Sequence, residues 1–309
     1  MKKHFIIVAL FLLPALILIT NGCVSTSPTV AETDIPIVRG DNLEDKLDWI
    51  EGNASGGDTY IIELSSDENI LPRMLDYGYR GLDDITILLR GKNNNHAVSL
   101  SADGAMFTIF PGITLVLDDR ITLHGRSQNK YPLIYINGGT LVMNADSSIT
   151  GNSTNGFGGG VYIKENGTFT MNGGVISGNT AMGGGGVNVS EGTFTLNGGD
   201  ISGNTVLGLG GGVLLVDDGT FNMSDGAIFN NFAAGGGGVS VSGGTFTLNG
   251  GAISGNNARV DGGGINIMRG EFIMNGGDIS GNSAFWGNEI YVLLTGNVTR
   301  SIDTTAGEE

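Results

Sequence analysis

Apolar positions along this chain follow two nested periods. Within short stretches they alternate with polar ones, as in Val161-x-Ile163 and Phe169-x-Met171. An alternation of two marks a strand with one buried face, not a helix. The alternating blocks themselves recur at a longer period. Phenylalanine returns at Phe169, Phe194, Phe221, Phe246 and Phe272, in steps of 25, 27, 25 and 26 residues. Isoleucine follows at Ile176, Ile201, Ile228, Ile253 and Ile279, then asparagine at Asn179, Asn204, Asn231, Asn256 and Asn282. A glycine cluster leads each time into Val161, Val187, Val213, Val239 and Ile265. Each unit therefore offers three short strands joined by glycine and asparagine turns. No unit can bury its apolar face alone. Stacked, each sets its Phe over the next Phe and its Ile over the next Ile, which predicts an all-β parallel solenoid with a continuous core.

The repeats are clearest over residues 131–292. Fainter copies lie upstream of the Phe169 unit, at Leu141-Val142-Met143-Asn144, Leu115-Val116-Leu117 and residues 85–89 and 60–64. Together they predict about nine coils over residues 58–298, on the order of 40 Å at one strand spacing per coil. A solenoid end exposes strand edges and needs a cap. Residues 42–57 supply one: Asp41 or Asn42 can N-cap a helix through Asn53 with Leu43, Leu47 and Ile50 on one face. At the other end, Phe285 and Trp286 interrupt the glycine cluster. Residues 290–294 read as the last strand and residues 299–309 as a loose tail.

The N-terminus reads as an address. Lys2 and Lys3 precede an apolar run over residues 5–19 that ends in Thr20-Asn21-Gly22-Cys23. The run is short for a membrane span, which needs ~20 residues, and it has the layout of a signal peptide. A lone cysteine just beyond it resembles the bacterial lipoprotein signal, which is cut before the cysteine that then carries the lipid, including palmitate. Gly22 fits that pattern, whereas Thr20 and Asn21 stand where Leu and Ala or Ser are usual. The expected division is a signal peptide at 1–22, lipid attachment at Cys23 and a tether over 23–41.

Composition narrows the partners. The chain of 309 residues carries 31 acidic and 15 basic side chains, a formal net charge of −16. That excess argues against nucleic acid, whose binding rests on Lys and Arg, and against acidic polysaccharides. With Cys23 the only cysteine, no internal disulfide exists. Its 55 glycines come without a collagen period, and no proline follows Pro132, which suits an uninterrupted backbone ladder.

Candidate chemistry is sparse. Between residues 151 and 290 the basic residues are Lys164, Arg259 and Arg269, and their spacing does not stack them on one face. Asp200 and Asp278 share a repeat position three coils apart, about 14 Å, too far for a paired acid/base site. The densest polar group is Asp118, Asp119, Arg120 and His124, near Asp83 and Asp84. The Asn columns read as structural, since stacked amides at a turn satisfy one another and the local backbone. No metal cluster, phosphate loop or cofactor motif stands out. A Thr-x-Thr ladder at Thr168/Thr170, Thr193/Thr195 and Thr245/Thr247 resembles that of ice-binding solenoids, interrupted by Asn222 and by Glu271 with Ile273.

Two motifs resemble a known family. Ile176-Ser177-Gly178-Asn179 with Gly184-Gly185-Gly186-Val187, and Ile253-Ser254-Gly255-Asn256 with Gly262-Gly263-Gly264-Ile265, are similar to the repeat of polymorphic outer-membrane proteins. That resemblance covers roughly residues 130–290. It implies a right-handed, pectin-lyase-like parallel β-helix displayed on a bacterial surface, often in adhesion. The chain departs from the family in its Ile for Phe in the first motif. It also lacks the ~10-residue alternating strands of a transmembrane barrel after Leu294. The expectation is a non-enzymatic, lipid-anchored surface rod of the outer membrane that binds a host-cell, matrix or glycan ligand. Phe157, Tyr162, Phe232 and Trp286 are its candidate contacts. The alternatives are a carbohydrate-active enzyme around Asp118, Asp119, Arg120 and His124, and an ice-binding solenoid.

Overall fold

The computed structural model describes residues 35–293 and 296–300; the expected signal peptide, Cys23, most of the tether and residues 301–309 lie outside them. Among the described residues, three long parallel sheets hold ten, nine and nine strands, and a small fourth sheet holds four. Each strand pairs with its equivalent one coil earlier and one coil later. The result is the all-β parallel solenoid of about nine coils that the repeat requires. The single α-helix among the described residues, Leu43–Asn53, lies at the N-terminal end of the solenoid.

Alternation decides which residues go inside. In the first sheet, Thr168–Met171 and Thr193–Leu196 bury every second side chain. Register then stacks like on like, so Phe169, Phe194, Phe221 and Phe246 pair in turn, and Phe246 pairs with Phe272. Their rings lie 4.7, 4.8, 4.6 and 5.1 Å apart, centre to centre. Burying each ring stabilises the fold by roughly 1.5–3 kcal/mol, and stacked pairs add about 0.5–1.5 kcal/mol. Ile176, Ile201, Ile228 and Ile253 form the matching column from the second sheet.

Two amide ladders run along the solenoid in opposite senses. In the buried one, Asn179 Nδ2 donates to Asn204 Oδ1 at 3.1 Å, and Asn204, Asn231 and Asn256 each donate onward at 3.0 Å. It ends where Asn282 Nδ2 donates to Glu289 Oε2 at 2.6 Å. In the exposed ladder, Asn197 donates back to Asn172, Asn172 to Asn144, and Asn144 to Asp118 Oδ1 at 3.0 Å. Each series finishes on a carboxylate, an acceptor that needs no donor partner of its own.

The helix closes the N-terminal end. Asn42 Oδ1 accepts from the Asp45 N–H at 2.9 Å, and Glu44 and Asp45 sit in the first turn, where the helix dipole favours negative charge. Leu43, Leu47 and Ile50 pack onto the first coil. At the C-terminal end, Ile290–Val292 closes the third sheet, and Gly296–Arg300 adds a further strand to the first sheet. The coil thus extends past residue 294, into the segment read from the sequence as the start of the tail. The reason is visible in the register, since Val298 supplies the next apolar residue over Phe272.

The fourth sheet has no counterpart in the alternation. Its strands are Thr180–Ala181, Thr205–Val206, Phe232–Gly235 and Asn257–Asp261. From them the chain folds back over the outer face of the third sheet. Asn188, Leu214, Ser240 and Asn266 occupy the outward position of that sheet, yet all are buried. Gly184, Gly210, Gly236 and Gly262 lie against them with left-handed φ of 61 to 69°, where an added Cβ would strike the strand's backbone and, at the first three, the Cβ of the covered residue. These glycines form a roof.

Candidate ligand groove

Upstream of the roof the same outer face is open. Its outward column runs Met74, Thr108, Tyr135 and Tyr162 before it disappears beneath the glycines at Asn188. Gly158 stands over Tyr162 as the roof's first tile. Met74 is 72% exposed, Tyr131 52% and Phe157 50%. The Tyr135 and Tyr162 rings lie 5.5 Å apart at 36°. Two concavities of about 430 and 290 Å³ flank them and share Tyr131, Pro132 and Tyr135, so they form one groove. Those volumes fall in the range of small-ligand sites.

The floor is apolar with polar tips. Neither the Tyr135 nor the Tyr162 hydroxyl is hydrogen-bonded within the described residues, so both are free to meet a ligand. Partial burial raises the Tyr135 phenol above its ordinary pKa, with Tyr162 and Glu165 adding to the shift and Lys164 opposing it. The group therefore stays protonated and can donate. The rim is ionic and internally matched. Arg73 Nη2 lies 2.6 Å from Asp48 and 3.3 Å from Glu51. Arg126 and Lys130 approach Asp103 at 3.8 and 3.7 Å.

Of the aromatics read from the sequence, Phe157 and Tyr162 meet in this groove. Phe232 and Trp286 lie elsewhere: Phe232 sits under the Arg259 guanidinium at 5.7 Å, and Trp286 meets Phe285 edge-on at 4.9 Å. Tyr131 and Tyr135 were not singled out from the sequence. Tyr135 carries a signal that finds it, because it stands one repeat before Tyr162 at the same strand position. Tyr131 lies in a loop with no repeat partner.

The polar group around Asp118 is dispersed. Asp118 accepts from Asn144 at the foot of the exposed ladder. Arg120 turns back to the Gly91 carbonyl at 3.3 Å and reaches Asp119 only at 3.8 Å. His124 is exposed at the far end of the strand Ile121–His124, about 10 Å along the strand from Ile121 and further from Asp119. Asp200 and Asp278 do share one column, separated by Ala227 and Ala252. Along the turn before the first sheet, Glu165, Glu191, Asp217 and Asp218 line a shallow acidic recess. Among the described residues, no group of three His, Cys, Asp or Glu side chains is placed to hold a metal ion.

The threonine column is longer than the sequence repeats indicate. Thr59, Thr86, Thr114, Thr140, Thr168, Thr193, Thr220 and Thr245 stand in register on the outer face of the first sheet. Beside it run Val116, Val142, Thr170, Thr195, Asn222 and Thr247, so this stretch of the face carries no charge.

Compared with known proteins, the chain matches no family model, no curated protein and no solved structure.

Proposed function

We propose that this protein is a non-enzymatic, lipid-anchored rod on the bacterial outer surface that binds a partner through the Tyr135–Tyr162 groove. The observation that carries the reading is the groove itself, an open aromatic surface in a solenoid whose inward-facing apolar columns are buried. Exposed aromatic clusters of this kind mark interaction sites. The signal-like N-terminus with Cys23 supplies the anchor. The repeats belong, in this reading, to the polymorphic outer-membrane-protein type and wind right-handed, with the lipid replacing the barrel that such proteins use.

The test is made on intact cells. Added protease is expected to digest the rod while a periplasmic control protein survives, and labelled palmitate is expected in the protein but not in Cys23→Ala. Protection of the rod until the envelope is broken would remove the surface reading.

A second reading rests on the threonine column. Eight hydroxyls at the coil spacing, the six from Thr114 to Thr245 on strands whose outward side chains carry no charge, favour contact with an ordered lattice such as ice. Thermal hysteresis by the purified protein, lost on Thr168→Lys, is the outcome that reading requires.

A further inference from the structure

From the chemistry of the groove we infer that its ligand is an uncharged glycan chain, with successive sugar rings lying on Tyr135 and Tyr162. This rests on the binding reading above and names the partner class for it.

The floor decides first against a peptide strand. Extended peptides bind by adding to an open sheet edge through main-chain hydrogen bonds. Here the floor strands Phe107–Ile109, Ile134–Asn137 and Val161–Lys164 are each already paired on both sides. The sheet's nearer unpaired edge lies at its first strand, Arg73–Leu75, and not among the strands that carry Tyr135 and Tyr162. A helical peptide would seat rows of aliphatic side chains in an apolar trough. This trough instead presents phenol faces with two unbonded hydroxyls and Thr108 between Met74 and Tyr135.

A pyranose matches that surface. One of its faces is largely C–H and lies flat on an aromatic ring, while its hydroxyls point sideways to polar groups at the edge. The aromatic quadrupole favours such C–H contacts on the ring face. The 5.5 Å step between the Tyr135 and Tyr162 rings follows from the coil spacing and is close to the length of one hexose in an extended chain. The groove runs along the solenoid axis, so successive coils offer successive subsites. The roof sets the limit: beyond Tyr162 the column is covered at Asn188, which is 1% exposed.

Charge selects the uncharged class. The chain as a whole is strongly acidic. At the rim, Arg73 is matched by Asp48 and Glu51, and Asp103 holds both Arg126 and Lys130. An anionic glycan would have to compete with Asp103 for those cations against the field of the protein, and a cationic one would compete with Arg73 for Asp48 and Glu51. A neutral, hydroxyl-rich chain accepts and donates at the same rim without breaking any ion pair.

The full-length purified protein is screened on an array of neutral and acidic oligosaccharides of at least three residues, and binding is then titrated. Neutral glycans are expected to bind, with affinity little changed by added NaCl. Tyr135→Ala and Tyr162→Ala are each expected to weaken binding about tenfold or more. Tyr291→Ala, on the same column beyond the roof, is expected to leave it unchanged. Tyr135→Phe, which keeps the ring, checks that loss reflects stacking and not misfolding, and it is expected to retain most of the affinity. Absence of glycan binding, binding confined to acidic glycans and abolished by salt, or binding indifferent to both alanine variants overturns the inference. Those outcomes leave the cell-surface test untouched. A rod exposed on cells that binds no neutral glycan defeats only the ligand assignment, and a rod shielded in the envelope defeats the surface reading while the array result stands.

Discussion

Asn231→Ala is expected to lower the stability of the solenoid by about 3–5 kcal/mol, on the basis of the buried groups it leaves unpaired. Asn231 is buried and uses its amide fully. Its Oδ1 accepts from the backbone N–H and the Nδ2 of Asn204, at 2.9 and 3.0 Å. Its Nδ2 donates to the Ile201 carbonyl at 2.9 Å and to Asn256 Oδ1 at 3.0 Å. Alanine fills little of the space, strands two donors of Asn204 on one side and takes the side-chain donor from the Ile201 carbonyl on the other, while Asn256 Oδ1 keeps only the backbone N–H of residue 231 at 3.0 Å. Chemical denaturation measures the loss, and hydrogen exchange at the Asn204 amide reports it locally. Asn231→Asp separates the two halves of the role. It keeps the acceptor but puts a carboxylate against the Ile201 carbonyl and Asn256 Oδ1. Burial without a cation raises the folded-state pKa of such a group above its unfolded value. Its penalty is then full at neutral pH and shrinks as pH falls through that raised pKa, where the protonated form can again donate. An Asn231→Ala protein that unfolds within about 1 kcal/mol of the parent would show that the ladder is not a source of stability.

The second large effect is expected at Phe221. Its ring is stacked on both faces, by Phe194 at 4.8 Å and by Phe246 at 4.6 Å, and is fully buried. Phe221→Ala removes that volume from the middle of the column and is expected to cost about 3–5 kcal/mol. Because each coil contacts only its neighbours, stability along a solenoid is a chain of nearest-neighbour terms, and a central defect weakens two of them. The unfolding transition is therefore expected to broaden or split as well as shift. Hydrogen exchange should rise first in the strands Thr193–Leu196, Thr220–Met223 and Thr245–Leu248. Phe221→Leu, which keeps much of the volume but not the stacking, is expected to fall between the parent and alanine. A uniform loss spread evenly over all coils would contradict the nearest-neighbour account.

Much of this molecule is legible in its sequence because the same local problem is solved repeatedly. Phe169 and its successors must be buried, alternation says which face they occupy, and the near-constant step says what lies above and below. Asn179 and its successors sit at one turn in each repeat, so their mutual pairing follows once coils stack. The cap at Leu43–Asn53 is local too, written in Asn42 and in the spacing of Leu43, Leu47 and Ile50.

The roof, the groove and the full threonine column were not legible in the same way. Leu214 and Asn188 hold equivalent positions in successive coils, and alternation assigns both to solvent. Burial comes instead from the glycine loop that precedes each of these strands and folds back over it; the glycines recur every 26 residues, but alternation within the strand does not say that their loop covers its outer face. Asn188 shows the consequence, because its amide is buried beneath Gly184 without a hydrogen-bond partner among the described residues, where Leu214 needs none. Tyr131 and Phe157 reach the groove from irregular loops, and Thr59 and Thr86 join the threonine column from coils whose repeats have drifted. The sequence by itself therefore determined the solenoid, its inward columns and its N-terminal cap, since these follow from local periodicity and nearest-neighbour stacking. Only the tertiary structure decided which outward positions stay outside, because the glycine repeat marks where the loops bend but the side-chain alternation does not fix which face of the third sheet they cross.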